Sequence, residues 1–492
     1  MHMRTYHFFL FIAFIMSGVF TLQSAHSYTD TSSRTFIALH PPYHNVKATS
    51  GGWQDILGAE ESGHSALRIL GIYQTSRDPS CIDNYFLIDC KHEILIAGDD
   101  TPFYQPNTSL SNATTTRDVR AEFLNLPATF SGRLKLCPTT RQVAVIVSYQ
   151  YELGHFFEHS WFDNMWFITS IPFIDTKQGL NPCQFDIKNP EPNIPGSPTD
   201  ILSALTRPNI DFGRIITGEH HRFSPSHISL GFGTTWTTKH DFLLIYQSTM
   251  DIATCSRNDP TYIFSPVIGP NGHLAWSNEL DVELPLHPLD SSYQCKVMIN
   301  MLSQYVFARS EIRTFDLKGK QWSRYLPMRN IKTGDIISGT ELLTQEVRVH
   351  PRNFVNLTGG ILLGAEGFSV EMGYMLWVHR GETLQFVKPC CGPSGFPIHD
   401  YYLPGSAIGT SASTTTIYLQ GPDDSIFTPL HQNDININSG SATQAFTQSV
   451  YFEMLYQHCS NVYTALGLWC ENPEHNGAPR QWGLWLTAGG SF

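Results

Sequence analysis

Residues 274–286 read LAWSNELDVELPL, and their alternation decides the fold. Leu274, Trp276, Leu280, Val282, Leu284 and Leu286 share one parity, with Asn278 the polar intruder, while Ala275, Ser277, Glu279, Asp281 and Glu283 share the other. A strand turns successive side chains to opposite faces, whereas a helix would mix these two sets. The segment is also long enough to cross a bilayer as a tilted strand, which takes about 9–11 residues.

The same pattern recurs along the chain. Val143, Val145, Val147, Tyr149 and Tyr151 make one apolar face, as do Ile228, Leu230, Phe232 and Trp236. Phe368, Val370, Met372, Tyr374 and Leu376 make another, and so do Val450, Phe452, Met454 and Tyr456. Weaker strand candidates fall at 130–136, 164–174, 242–250, 296–307, 355–363 and 462–470, and the chain closes on Trp482, Leu484, Leu486, Ala488, Gly490 and Phe492 at alternate positions. Twelve strands are counted in this way, or fourteen if the stretch before residue 130 adds two, with 67–74 as one candidate.

Working back from Phe492, long and short connections alternate without a break. This is the habit of outer-membrane barrels, which keep short turns on the periplasmic side and long loops outside. The expected fold class is all-β: an antiparallel transmembrane β-barrel over residues 130–492, with short periplasmic turns and long extracellular loops. Residues 28–129 are expected to supply extra strands, a periplasmic piece or a plug in the lumen. A soluble β-sandwich also alternates, but its strands average five or six residues. Tyr149, Tyr151, Trp161, Trp166, Trp276, Tyr305, Tyr374, Trp377, Tyr456, Trp482 and Trp485 fall near the expected strand ends, where interfacial girdles sit.

Composition narrows the function classes. The 492 residues carry only 15 % charged side chains against 12 % aromatic, and no later segment approaches the run of about 18 apolar residues that a membrane helix needs. Residues 1–27 read as a cleaved signal peptide: Arg4 starts it, an apolar run covers 8–20, and Ala25 and Ser27 offer small residues for the peptidase. A formal charge of −12, without any basic run, argues against nucleic acid as a partner. Ten cysteines in an exported chain can form disulfides, but no C-x-x-C or zinc-type spacing occurs, and Cys390 and Cys391 are adjacent.

An amphipathic last strand ending on Phe492 resembles the insertion signal of bacterial outer-membrane barrels. Arg313 to Gly319 (RTFDLKG), Asn433-Asp434-Ile435 and Gln481 to Trp485 (QWGLW) look like patches of a family of uncharacterised barrel proteins from host-associated bacteria. The likeness covers residues 36–492. It implies a barrel in the outer membrane of a Gram-negative-type cell and brings no catalytic residue.

No nucleophile elbow, H-E-x-x-H helix, P-loop or dinucleotide fingerprint is present, so no enzyme, cofactor or metal is expected. His155 with His159, and His220 with His221, read as interfacial and loop histidines. The expected function is porin-like passage of small hydrophilic solutes. The alternatives are a structural or adhesive surface barrel with a closed lumen and, third, an outer-membrane hydrolase assembled across strands. Parity sends Glu279, Asp281 and Glu283 into the lumen, with Arg133, Lys135 and Lys296 as basic counterparts. Trp482, Leu484, Leu486 and Phe492 are the expected assembly signal. Expected partners are outer-membrane lipids, the barrel-assembly machinery and further copies of the chain in a homo-oligomer.

Overall fold

The computed structural model describes residues 33–50, 64–105, 114–153, 165–190, 198–207, 210–237, 242–286, 293–365, 367–387, 393–402, 429–459 and 461–492. Twelve long strands form the frame: β1 (Ser65–Asp78), β2 (Thr139–Glu152), β3 (Met165–Gly179), β4 (His227–Thr237), β5 (Leu243–Ala253), β6 (Ala275–Pro285), β7 (Tyr293–Val306), β8 (Arg352–Ala365), β9 (Phe368–His379), β10 (Ala445–Cys459), β11 (Val462–Pro473) and β12 (Arg480–Ser491). Each pairs antiparallel with its neighbours in chain order, and β12 returns to pair with β1. The ring is therefore closed, and a closed ring leaves no row of unpaired backbone groups.

Register carries the alternation round the barrel. Between β6 and β7, Leu280 faces Met301 and Val282 faces Ile299, while Asp281 faces Asn300 on the opposite surface. The outer positions form an apolar belt that includes Ile69, Val145, Phe232, Trp276, Ile361, Met372, Val450, Leu468 and Leu486, all exposed. The inner positions are buried, among them Leu70, Ile72, Ala144, Ile146, Tyr451, Trp469 and Trp485. Gly467 and Gly483 make room for two of these rings. A Cβ at either would stand about 2 Å from the indole of Trp485 or Trp469, respectively.

Three expectations change here. Trp166, Trp377 and Trp485 were expected at the outer girdles, yet all three are buried inside, because their parity is that of the inward set. Trp161 lies outside the described residues. Residues 130–136 were expected to open the barrel, but Ser131–Lys135 pairs with Glu93–Ala97 and Cys183–Lys188 in a separate sheet. At five residues it is too short to span a bilayer, and Phe130, Leu134 and Leu136 are apolar because they fill a loop core. Its place in the ring belongs to β1, so the barrel starts at Ser65 rather than at residue 130.

Short connections join the strands at one end of the barrel, such as 366–367 and 460–461, while 79–138, 180–226, 307–351 and 380–444 leave the other end. The long connections fold together into a cap with its own core, in which Phe86, Phe123, Phe315, Trp322, Leu342 and Tyr401 are buried. The strand β4 is prolonged on the cap side by His220–Pro225, which stays paired with β3. No helix among the described residues is long and apolar enough to cross a membrane, a statement that leaves strands untouched.

Candidate functional site in the barrel lumen

The lumen holds a piece of the chain's own N-terminal region. Residues 33–50 begin in the cap, where Thr35 Oγ1 donates to the Thr314 carbonyl at 2.6 Å and the Thr35 amide to Ser439 at 2.9 Å. Arg34 donates to Ser441 Oγ at 2.8 Å. The guanidinium of Arg313 lies 3.1 Å from the ring centre of Phe36, a desolvated cation–π contact. Pro41 and Pro42 then fix an extended entry, followed by a 3₁₀ turn at Pro42–His44 and a short helix at Val46–Ser50. Asn45 Oδ1 accepts from the Ala48 amide at 3.1 Å, which satisfies one otherwise orphaned donor of that helix.

Along this path the segment is tied to the barrel wall. His40 Nδ1 meets Glu471 at 2.7 Å and its ring stacks on Trp377 with centroids 4.7 Å apart. Gln74 donates to the His40 carbonyl at 2.8 Å, and Asn356 to the His44 carbonyl at 2.6 Å. His44 Nε2 lies 2.9 Å from Gln304. Deeper in, Lys47 Nζ stands 2.6 Å from Glu371 and 3.3 Å from Glu453, all three buried. Tyr451 donates to Glu371, and Trp485 Nε1 to Glu453 at 2.9 Å. Nearer the short-turn end Arg68 donates to the Thr49 carbonyl.

One side of the lumen is thus filled, where β8 to β11 meet the segment. On the other side a cavity of about 80 Å³ lies between Tyr43 and Thr49 of the segment and the wall from β1 to β7. Arg68, Ser148, His227, Thr249, Asp251 and Glu279 are among its lining residues. Asp251 is held by Ser229 at 2.6 Å, by Gln304 at 2.9 Å and by Ser277.

The acidic residues singled out by parity lie on the inner surface. Glu279 accepts from Gln247, Asp281 accepts from Asn300 at 2.7 Å, and Glu283 accepts from Lys296 at 2.9 Å. Arg133 and Lys135 are elsewhere, and this is a correction. Both lie on the cap strand Ser131–Lys135, where Arg133 pairs with Glu93 and Asp186. A five-residue strand in a loop sheet carries the same local polarity pattern as a barrel strand, so parity alone did not separate them.

Sequence reasoning missed Lys47, Glu371, Glu453, Arg68 and Glu471. Glu371 and Glu453 do stand on the polar parity of two recognised strands, so their inward aim was readable, but the partner that makes them a site was not. Two of the three patches that carry the family resemblance come together in space: Leu317 pairs with Ile435, and the Lys318 amide donates to the Asp434 carbonyl at 2.8 Å, while Gln481–Trp485 lies on β12. Asp316 is bound by Arg324 at 2.6 Å. Thr314 of the first patch, together with Ser439, grips Thr35.

His155 and His159 lie outside the described residues. His221 pairs with Asp175, and His220 packs on Tyr262 with ring centres 4.0 Å apart. Ser226 Oγ lies 2.8 Å from His227 Nδ1, and His227 Nε2 lies 3.9 Å from Asp251. That order of groups is the one a hydrolase would use, but Ser226 is 0 % exposed and offers no surface to a substrate.

At the seam of the ring the Phe492 amide donates to the Ser65 carbonyl at 2.8 Å, and the Ser65 amide donates back at 3.1 Å. Trp482, Leu484, Leu486 and Phe492 all point outward on the belt.

No family model and no curated protein matches this chain. Among solved structures, an outer membrane channel from Pseudomonas putida F1 is similar at 9 % identity and TM-score 0.38, covering 88 % of this chain and 97 % of that one. The transport unit of the autotransporter AIDA-I from Escherichia coli is similar at 8 % identity and TM-score 0.33, covering 92 % and 99 %. A Pseudomonas aeruginosa FadL homologue is similar at 7 % identity and TM-score 0.29, covering 93 % and 99 %. At these scores nothing about function passes to this chain, and the barrel stands on its own closed ring of paired strands.

Proposed function

We propose that this chain is an outer-membrane channel for small hydrophilic solutes, narrowed by its own N-terminal segment. The apolar belt supports a lipid surround: a long ring of exposed Leu, Ile, Val, Phe and Trp is costly in water and favourable in hydrocarbon. With Phe492 at the rim of the short turns, that end is periplasmic and the cap is extracellular. The observation that carries the channel reading is the cavity along β1 to β7, where charged and hydroxyl groups such as Arg68, Ser148, Asp251 and Glu279 share the lining with Ile146, Ile168 and Leu302, beside a lumen half that is packed shut. A polar interior space of this kind suits hydrated solutes, as in barrels whose polar lumen is a water-filled channel.

The test is single-channel recording of the full chain in planar bilayers. Small stepwise conductances are expected, well below those of a wide unobstructed barrel. Folded, heat-modifiable barrels that never conduct would overturn the reading in favour of a second one, a structural or adhesive surface barrel with a closed lumen. That second reading has its own support in the Lys47 cluster and in the cap, whose buried core makes a continuous extracellular body.

A further inference from the structure

We propose that Cys137 and Cys183 form a disulfide in the exported protein, stapling the cap across the base of one barrel hairpin. Cys137 sits just before β2 and Cys183 just after β3, so the link would close the β2–β3 hairpin at its cap end. The two backbones already run side by side there. Lys135 is the register partner of Cys183, and the Cys137 amide donates to the Leu180 carbonyl at 2.8 Å. Asn181 ties the same corner, donating to the Cys137 carbonyl at 3.2 Å and to Thr139 Oγ1 at 2.8 Å.

Positions two apart across antiparallel strands share one face at about 7–8 Å, so a small closing movement at this strand end brings the pair within the span of a disulfide. The thiols are neighbours: burial raises the Cys137 thiol above its usual range, and the nearby Cys183 thiol raises it further. A thiol held protonated attacks slowly by itself, which makes this a site for catalysed oxidation and, once formed, a durable link. Access is adequate, since Cys183 is exposed and Cys137 half-buried. The reaction joins the two sulfurs and releases one proton from each thiol, and the two electrons reduce the disulfide of an envelope dithiol–disulfide oxidoreductase to a pair of thiols.

The inference rests on the outer-membrane location proposed above, and the experiment separates the two. Full-length protein is taken from cell envelopes, its thiols blocked with iodoacetamide without reductant, and digested with trypsin. Peptides 136–141 and 178–188 are expected as one cross-linked species that disappears on reduction. A second sample, purified reduced and folded, is exposed to glutathione disulfide and mapped in the same way. Cross-linking in both samples supports the pair. Cross-linking only with glutathione disulfide counts against export, whereas recovery of both peptides separately alkylated from both samples overturns the pairing itself. Cys137→Ser and Cys183→Ser should each abolish the species, and their double variant should unfold in urea at the same midpoint as either single one.

Discussion

Lys47 Nζ stands 2.6 Å from Glu371 Oε2 in the barrel interior, across 324 residues of sequence. An ammonium buried to this degree is tolerable only with carboxylates around it, and Glu453 at 3.3 Å supplies the second. The pair therefore fixes where the short helix Val46–Ser50 rests against β9 and β10. Lys47→Met should strand two buried carboxylates at a cost of about 3–5 kcal/mol. A lower temperature for loss of the heat-modifiable barrel is expected, together with larger conductance steps as the segment loosens. Adding Glu371→Gln and Glu453→Gln should recover most of the stability, because the stranded charges are gone. A single variant as stable as the parent, with unchanged steps, would remove this contact from both roles.

Glu311 anchors the cap beneath the start of the N-terminal segment. His273 Nε2 lies 2.6 Å from it, Arg313 2.8 Å and Asn271 2.9 Å, with Glu382 on the far side of Arg313. Burial pushes the Glu311 carboxyl up, but Arg313 and His273 outweigh it and hold it below its usual value of 4.5. A depressed carboxylate stabilises the fold above its unfolded pKa and loses that contribution as pH falls through the folded value. Glu311→Gln should therefore be less stable than the parent at neutral pH, by about 3 kcal/mol or more for a broken buried pair. The gap should close as pH drops below about 4.5. Urea midpoints of the two proteins across that range check it, and a gap independent of pH would assign the difference to packing.

What was legible in the sequence was what is local. Parity at 274–286 placed Glu279, Asp281 and Glu283 on the inner surface, because successive side chains alternate whatever the strand pairs with. The alternation of long and short connections gave the two ends of the barrel. The identity of the first strand was not legible, since Ser131–Lys135 and β1 carry similar patterns and only long-range pairing separates a cap sheet from the ring. The interior was still less so. Nothing near Lys47 in sequence announces Glu371, and the grip of Thr314 and Ser439 on Thr35 appears only when three distant segments meet.

Phe492 ends the strand that seals the ring against β1, with its ring exposed on the outer rim. Trp482, Leu484 and Leu486 continue that outward face. Deleting Phe492 removes a recognition side chain together with its two backbone hydrogen bonds to Ser65, and the pairing of Ala66 with Ser491 and of the residues beyond is left in place. The expected outcome is several-fold less heat-modifiable barrel in outer-membrane fractions and more chain in the periplasm. Normal membrane yield of the truncated protein would sink the role as an assembly signal.

Glu279, Asp281 and Glu283 occupy alternate inward positions of β6, spaced about 7 Å apart along the strand. Their neutralisation is uneven. Glu283 is paired with Lys296 at 2.9 Å and Asp281 is held by Asn300, whereas Glu279 lines the open cavity and its Oε1 has no hydrogen-bond partner among the described residues. Where an acidic group faces the solute path, it favours cations by raising their local concentration. Replacing the three by Gln, Asn and Gln should lower the cation-to-anion permeability ratio, read from reversal potentials in a salt gradient. Most of that change should already appear in Glu279→Gln alone, and Glu283→Gln should do little because Lys296 masks it. High salt should flatten the difference between parent and variant, since screening at 1 M acts within about 3 Å. If the triple variant folds and conducts with an unaltered ratio, the passage does not run along this wall.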